Sequence, residues 1–123
     1  MCDDADSGVR YWAATGLMML GEGASLAKAQ LTKLLSDESH NVRAMAAWAL
    51  IKLGDKSSAQ SCVKKMLAAN SYAMMDILNV IAWMGEERKA FLEDIVPVTS
   101  EDKMIDWIKN VIFQGTKYHK ADR

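Results

Sequence analysis

Two arginines with matching surroundings are the sharpest candidates for chemistry in this chain of 123 residues. Arg10 and Arg43 lie 33 residues apart, and each follows an aspartate, Asp4 or Asp37, by six positions. A pair of guanidinium groups could bind phosphate, sulfate or carboxylate through paired hydrogen bonds. Each arginine could instead be satisfied locally by an aspartate, because buried polar groups are usually hydrogen-bonded. The fixed Asp–Arg spacing favours this structural role.

The residue types that most often support catalysis or metal binding are scattered. Cys2 and Cys62 have no motif spacing, and we expect no disulfide between them. His40 and His119 have no partner at the spacing of metal ligands. No Ser/His/Asp or Cys/His pattern and no glycine-rich phosphate loop is visible. We therefore predict that the chain is not an enzyme by itself, with no cofactor, no metal and no catalytic residue.

Four tryptophans and nine methionines are the apolar residues that could form a binding surface. Each tryptophan lies inside an apolar run, which favours packing in the core or between repeats over stacking on a sugar or a base; the four are Trp12, Trp48, Trp83 and Trp107. Methionines fill cores more often than they form adaptable binding surfaces, so we expect most of them inside as well.

Composition and charge exclude several classes of protein. The 15 basic and 16 acidic residues nearly cancel, which argues against a nucleic-acid-binding surface. No apolar run approaches the roughly 20 residues that span a bilayer. The acidic start of the chain, at residues 1–4, is unlike a signal peptide. We expect neither nucleic acid nor a membrane as partner.

Internal repeats organise the chain. Residues 9–21, VRYWAATGLMMLG, return at 42–54 as VRAMAAWALIKLG, and the apolar rhythm returns at 73–85 as AMMDILNVIAWMG. Glycines close these copies and a degenerate fourth at spacings of 33, 31 and 30 residues: Gly21, Gly54, Gly85 and Gly115. The period suits two helices and two turns, and glycine tolerates the left-handed backbone just past a helix end.

This period predicts an all-α fold, a short right-handed α-solenoid of about three to four helix pairs. One domain is expected over residues 1–115, followed by a polar tail at 116–123. Its helices are expected at residues 8–20, 24–36, 41–53, 58–69, 71–84, 88–96 and 101–114. The repeat copies are more apolar than the helices between them, so we expect them to be the inner helices.

The pattern Asp-x4-Val-Arg, followed by an Ala-rich apolar helix that ends in Leu-Gly, resembles HEAT repeats. The likeness is greatest to the short class found in phycobilisome lyases, and residues 4–86 carry most of it. It implies an armadillo/HEAT-type superhelix in which Asp and Arg side chains form a ladder between adjacent repeats. By that resemblance the ladder residues are Asp4, Arg10, Asp37 and Arg43. The resemblance implies a fold and no particular activity.

A narrower resemblance lies in residues 8–21 and 37–54, which are similar to the HEAT-like segment that follows the catalytic domain of some bacterial sulfatases. The nucleophile motif of those enzymes, Cys or Ser followed by x-Pro-x-Arg, is missing, and so are the clusters of their calcium site. The resemblance therefore implies an accessory region of an enzyme acting on sulfated carbohydrate. Such a parent would be periplasmic; otherwise the chain is expected in the cytoplasm.

The leading hypothesis is a non-catalytic protein-interaction or scaffold module that is part of, or associated with, a larger protein. Its expected partner is another protein or an adjoining catalytic domain. A DNA-binding HEAT-like protein is disfavoured, because the first three inner helices carry only three basic residues: Arg10, Arg43 and Lys52. The sequence leaves open the identity of the partner and the oligomeric state.

The first expected helix, 8–20, is a further candidate for an interface. It is among the most apolar stretches of the chain, and no expected helix precedes it to cover it. An uncovered apolar surface promotes association, so a homodimer through this helix is expected. The candidate interface residues are Tyr11, Trp12, Met18 and Met19.

Overall fold

The computed structural model describes residues 5–20, 25–69 and 73–118, with side chains throughout except at 17–20 and 25–27. Within these ranges every regular element is helical, so the predicted all-α class is confirmed. The elements are α1 (Ser7–Leu20), α2 (Ser25–Leu34), α3 (His40–Lys52), α4 (Ser57–Ala69), α5 (Met74–Trp83), a 3₁₀-helix (Gly85–Phe91), α6 (Leu92–Ile95) and α7 (Lys103–Phe113).

The helices pack as a short solenoid. The repeat-copy helices α1, α3, α5 and α7 are neighbours in that order. The connecting helices pack against them, since α2 contacts α3, α4 contacts both α3 and α5, and α6 contacts α4 and α7. Stacking of this kind buries one continuous core, because each pair of helices covers the apolar side of the next.

The third helix is the most enclosed element. It contacts α1, α2, α4 and α5, and eight of its 13 residues are buried. Four of these are alanines, which let neighbouring helices approach closely: Ala44, Ala46, Ala47 and Ala49. A helix that is apolar all round has to be covered on several sides, as the sequence of α3 requires.

Glycines terminate three of the repeat-copy helices. The backbone is left-handed at Gly54 (φ 92°), Gly85 (φ 66°) and Gly115 (φ 75°), which confirms the predicted stops at these positions. A residue with a side chain would lose about 1–2 kcal/mol in this conformation. The fourth predicted stop, Gly21, lies outside the described residues.

One expected helix differs in type from the sequence prediction. An α-helix was expected at 88–96, whereas the chain forms a 3₁₀-helix over Gly85–Phe91 and then one turn of α-helix over Leu92–Ile95. Arg88 Nη1 donates to the carbonyl of Gly85 at 2.9 Å, which supports the tighter winding. The other helices begin and end within three residues of the expected bounds.

Arg88 also fastens the last helix to the rest of the solenoid. Its Nε donates to the carbonyl of Ile112 at 2.7 Å, and its Nη2 donates to the carbonyl of Gln114 at 2.6 Å. Carbonyls at a helix C-terminus have no partner within the helix, so a cation that binds them caps α7. Nothing in the repeat pattern marks Arg88 for this role.

Candidate functional site

The two repeated arginines meet at one aspartate. Arg10, on α1, donates from Nε and Nη2 to the two carboxylate oxygens of Asp37 at 2.7 and 3.0 Å. Arg43, on α3, donates from Nη1 to the backbone carbonyl of the same residue. Asp4, the remaining member of the expected ladder, lies outside the described residues. The arrangement gives Arg10 and Arg43 different partners despite their equivalent positions in the repeat.

Asp37 is held as a carboxylate by these contacts. Burial opposes its ionisation, but the hydrogen bonds from Arg10 and from the Ser39 N–H outweigh that cost, together with the positive charges of Arg10 and Arg43. The pKa of Asp37 therefore lies below its ordinary value. An ion pair this enclosed has little capacity to bind a ligand.

Three of the four tryptophans are exposed, so the prediction of packing in the core is wrong for those three, whereas Trp83 on α5 packs against Trp48 on α3, as the alternative of packing between repeats expects. The exposed fraction is 67% at Trp12, 55% at Trp83 and 57% at Trp107, while Trp48 is partly buried. An apolar run does not say which side of a helix its neighbours cover. On α7 the covered stripe is Ile105, Ile108 and Ile112, and Trp107 projects from the opposite side.

A small cleft lies between α1, α3 and α5, and Trp83, which packs against Trp48, forms part of its lining. The Trp48 and Trp83 rings are 6.0 Å apart between centroids. Next to Trp83 is a cavity of about 200 Å3, which we call the aromatic cleft; it is lined by Tyr11, Asn41, Asp76, Asn79, Val80 and Trp83. Aromatic rings, a carboxylate and two carboxamides together can bind a cation or a polar chain.

The electrostatics of the aromatic cleft are negative. Partial burial and the charge of Asp76 raise the pKa of the Tyr11 hydroxyl above its usual value. Among the described residues, no ion pair involves Asp76. The exposed carboxylate of Asp76 therefore has no cation beside it in the part of the chain that the structure describes.

Sequence reasoning missed this cleft, although a signal for it exists. Asp76, Asn79 and Trp83 are spaced by three and four positions on α5, which puts them on one side of a helix that is otherwise apolar. Tyr11 and Asn41 join them only through the packing of α1 and α3 against α5. The positions of Tyr11 and Asn41 in the sequence do not indicate that they lie near Asp76.

The expected interface on α1 is described only in part. Trp12 is exposed, and its ring meets that of Tyr11 edge-on at 5.6 Å between centroids. The side chains of Met18 and Met19 lie outside the described residues. Four other methionines are buried, which agrees with core filling, and Met104 is the exposed exception at 53%; the buried ones are Met45, Met66, Met74 and Met84.

The scattered histidines and cysteines form no reactive cluster in the described ranges. His40 begins α3, and no group of three His, Cys, Asp or Glu residues described by the structure could hold a metal. Cys62 carries a free thiol, while Cys2 and His119 lie outside the described residues. None of the described helices is both long and apolar enough to cross a bilayer.

Comparison with known proteins agrees with this architecture. The family model for HEAT repeats matches residues 1–75, which is more than half of the chain. No curated protein matches, and no solved structure matches. The match covers α1 to α4, and therefore includes both arginines and the aspartate between them.

Proposed function

This chain belongs to the HEAT-repeat family, and on that premise we propose that it is a non-catalytic protein-interaction module whose aromatic cleft binds a basic segment of a partner protein. HEAT repeats stack into extended surfaces that suit binding to other proteins. The observation that carries the proposal is Asp76, an exposed carboxylate with no ion pair among the described residues, beside the rings of Tyr11 and Trp83.

Charge and ring chemistry both favour a cationic side chain. Arginine or lysine can pair with a carboxylate and at the same time lie against the face of an aromatic ring. Trp83 is 55% exposed and its ring packs against that of Trp48, so the ring is fixed in position while part of its surface remains accessible to a ligand. The volume of the aromatic cleft, about 200 Å3, suits one side chain rather than a larger ligand.

The carboxamides supply the contacts that an extended segment needs. Asn41 is exposed and Asn79 is partly exposed, and both line the aromatic cleft. Each carboxamide can donate to and accept from a peptide backbone. Binding of this kind holds a partner protein or an adjoining domain on the solenoid, which is what a scaffold does.

The test is a calorimetric titration of the chain with a short oligo-arginine peptide, which measures the affinity. We expect the wild-type chain to bind it and Asp76→Asn to bind about tenfold more weakly, because one charge-assisted contact is lost. Asp106→Asn is the matched control, since it removes an exposed carboxylate from α7, outside the aromatic cleft. Equal affinity of wild type and Asp76→Asn, or no binding by wild type, would overturn the proposal.

A carbohydrate-related role is the second candidate, and the exposed ring of Trp83 favours it, although the carboxylate of Asp76 would repel a sulfate group placed in the aromatic cleft. Indole rings and Asp or Asn side chains also suit sugar rings, as an accessory region of a sulfatase would require. The family match supports HEAT repeats in general; the likeness to phycobilisome lyases and to sulfatases stays a proposal. Binding of a sulfated oligosaccharide, lost in Trp83→Ala, without binding of oligo-arginine would favour this candidate.

A further inference from the structure

A second and larger cleft lies between the turn after α2 and the helices α3 and α4. Its volume is about 620 Å3, and we call it the basic cleft. Its lining includes two cations, Arg43 and Lys65, and four serines, and none of its lining residues is acidic. Sites for small molecules have volumes of about 300–1,000 Å3, so this cleft is large enough for one.

The two cations line the basic cleft together with the thiol of Cys62. The positive charges of Arg43 and Lys65 both act on the thiol of Cys62, and both lower its pKa against the stronger effect of burial, which leaves that pKa raised. Neither cation takes part in an ion pair among the described residues. Arg43 donates from Nη1 to the carbonyl of Asp37, and the carboxylate of that residue is held by Arg10.

The hydroxyl groups and the start of α4 add further donors. Ser57 and Ser58 open α4, and its first turn contains no acidic residue. The N–H groups of a first helical turn have no partner within the helix and attract anions. Leu35 and Met66 form an apolar wall beside these polar groups.

We propose that the basic cleft binds a phosphate monoester, with Arg43, Lys65 and the serine hydroxyls on the phosphate and the organic part against Leu35 and Met66. A dianion matches two cations, and its three terminal oxygens can accept from several donors at once. A carboxylate offers only two oxygens and one charge. This site is separate from the aromatic cleft, and it stands whether or not that cleft binds a basic segment.

Cys62 makes the proposal measurable, because its thiol lines the basic cleft and donates to the Leu35 carbonyl at 3.6 Å. The probe is phenyl phosphate, and the readout is the rate at which iodoacetamide alkylates Cys62 in a Cys2→Ser background, at constant ionic strength. We expect the rate to fall about twofold when the probe concentration equals its Kd, since half of the sites are then filled.

Two variants test which residues hold the phosphate. We expect Arg43→Gln and Lys65→Gln to weaken protection by phenyl phosphate about tenfold, each measured against its own unprotected rate. Lys103→Gln is the matched control, because it removes an exposed charge from α7, outside the basic cleft. Lys65 is exposed, so its variant stays informative even if Arg43→Gln fails to fold.

Four outcomes would overturn the proposal. The first is an alkylation rate that phenyl phosphate leaves unchanged. The second is protection of equal strength in Lys65→Gln and in the wild type. The third is equal protection by phenol, which would show that the phosphate group contributes nothing to binding. The fourth is equal protection by inorganic phosphate, which would show that the organic group contributes nothing.

Discussion

Arg10 on α1 binds Asp37, in the turn before α3, through two hydrogen bonds of 2.7 and 3.0 Å. A third bond, from Arg10 Nη1 to the carbonyl of Ala5 at 3.0 Å, ties the same side chain to the segment before α1. Both partners of the ion pair are enclosed, with 9% of each side chain exposed. We propose that the pair sets the register of adjacent repeats, as expected for a ladder residue.

Removing the charge of Asp37 should destabilise the solenoid. We expect Asp37→Asn to lower the free energy of unfolding by about 3 kcal/mol at neutral pH, because it leaves the Arg10 guanidinium buried without a counter-charge. Urea denaturation followed by circular dichroism measures this. Glu38→Gln is the matched control, since Glu38 is 3.9 Å from Arg10 but 90% exposed, and it should cost under about 0.5 kcal/mol.

The same pair predicts a pH dependence with a definite sign. The folded-state pKa of Asp37 is lowered, so its contribution is fully present above the unfolded value of about 3.9 and is lost as pH falls through the folded pKa. The difference in unfolding free energy between wild type and Asp37→Asn should therefore shrink below about pH 4. A difference that stays constant from neutral to acidic pH would contradict this.

Two glycines should respond to alanine in opposite directions. Gly54 has a φ of 92° and Gly16 lies within α1, and an added Cβ would meet no atom within 4 Å at either site. The two sites therefore differ only in the backbone conformation that the alanine would have to adopt, which is left-handed at Gly54 and helical at Gly16. We expect Gly54→Ala to cost about 1 kcal/mol of unfolding free energy and Gly16→Ala to add about 0.5–1 kcal/mol. Thermal melts that shift both variants the same way would be incompatible with the stop at Gly54.

Arg88 should stabilise α7 locally. Arg88→Met removes the donors to Ile112 and Gln114, so we expect faster amide exchange along α7 and a loss of about 2 kcal/mol. Lys89→Met is the control, because the one ion pair of Lys89 among the described residues is with exposed Glu86, and it should change stability by under about 0.5 kcal/mol. Hydrogen exchange resolved by residue distinguishes the two.

Self-association through α1 stays a proposal, and the exposure of Trp12 supports it. We expect sedimentation of the wild type to depend on concentration and Trp12→Ser to reduce that dependence, because an exposed indole adds apolar contact area. Trp107→Ser, on α7, serves as the comparison variant. A wild type that sediments as a monomer at all concentrations would rule this interface out.

Much of the fold could be predicted because its signals are local. A glycine at Gly54 or Gly85 ends a helix through its own backbone, whatever packs around it. Exposure is different, since Trp107 and Ile108 are adjacent in the same apolar run and only the neighbours of α7 decide which is covered. The repeated Asp–Arg spacing by itself indicated local pairing, and it was the resemblance to HEAT repeats that implied a contact between repeats such as that of Arg10 with Asp37, 27 residues further along.

The aromatic cleft shows the same division more sharply. The spacing of Asp76, Asn79 and Trp83 along α5 can be seen in the sequence, and it indicates a shared side of one helix. Tyr11 reaches them from a helix more than 60 residues earlier in the chain. Such a meeting depends on how α1 and α3 pack against α5, and side-chain type alone does not encode it.

The enclosure of α3 has a consequence for how this chain assembles. Repeat proteins are often described as linear arrays of equivalent repeats, each of which contacts only its neighbours. Here α3 has eight of its 13 residues buried, whereas α4, of the same length, has four, so the repeats contribute unequally. Folding should nucleate around α3 and spread outward, and a pulling force on the two ends should peel off the outer helices before α3 yields.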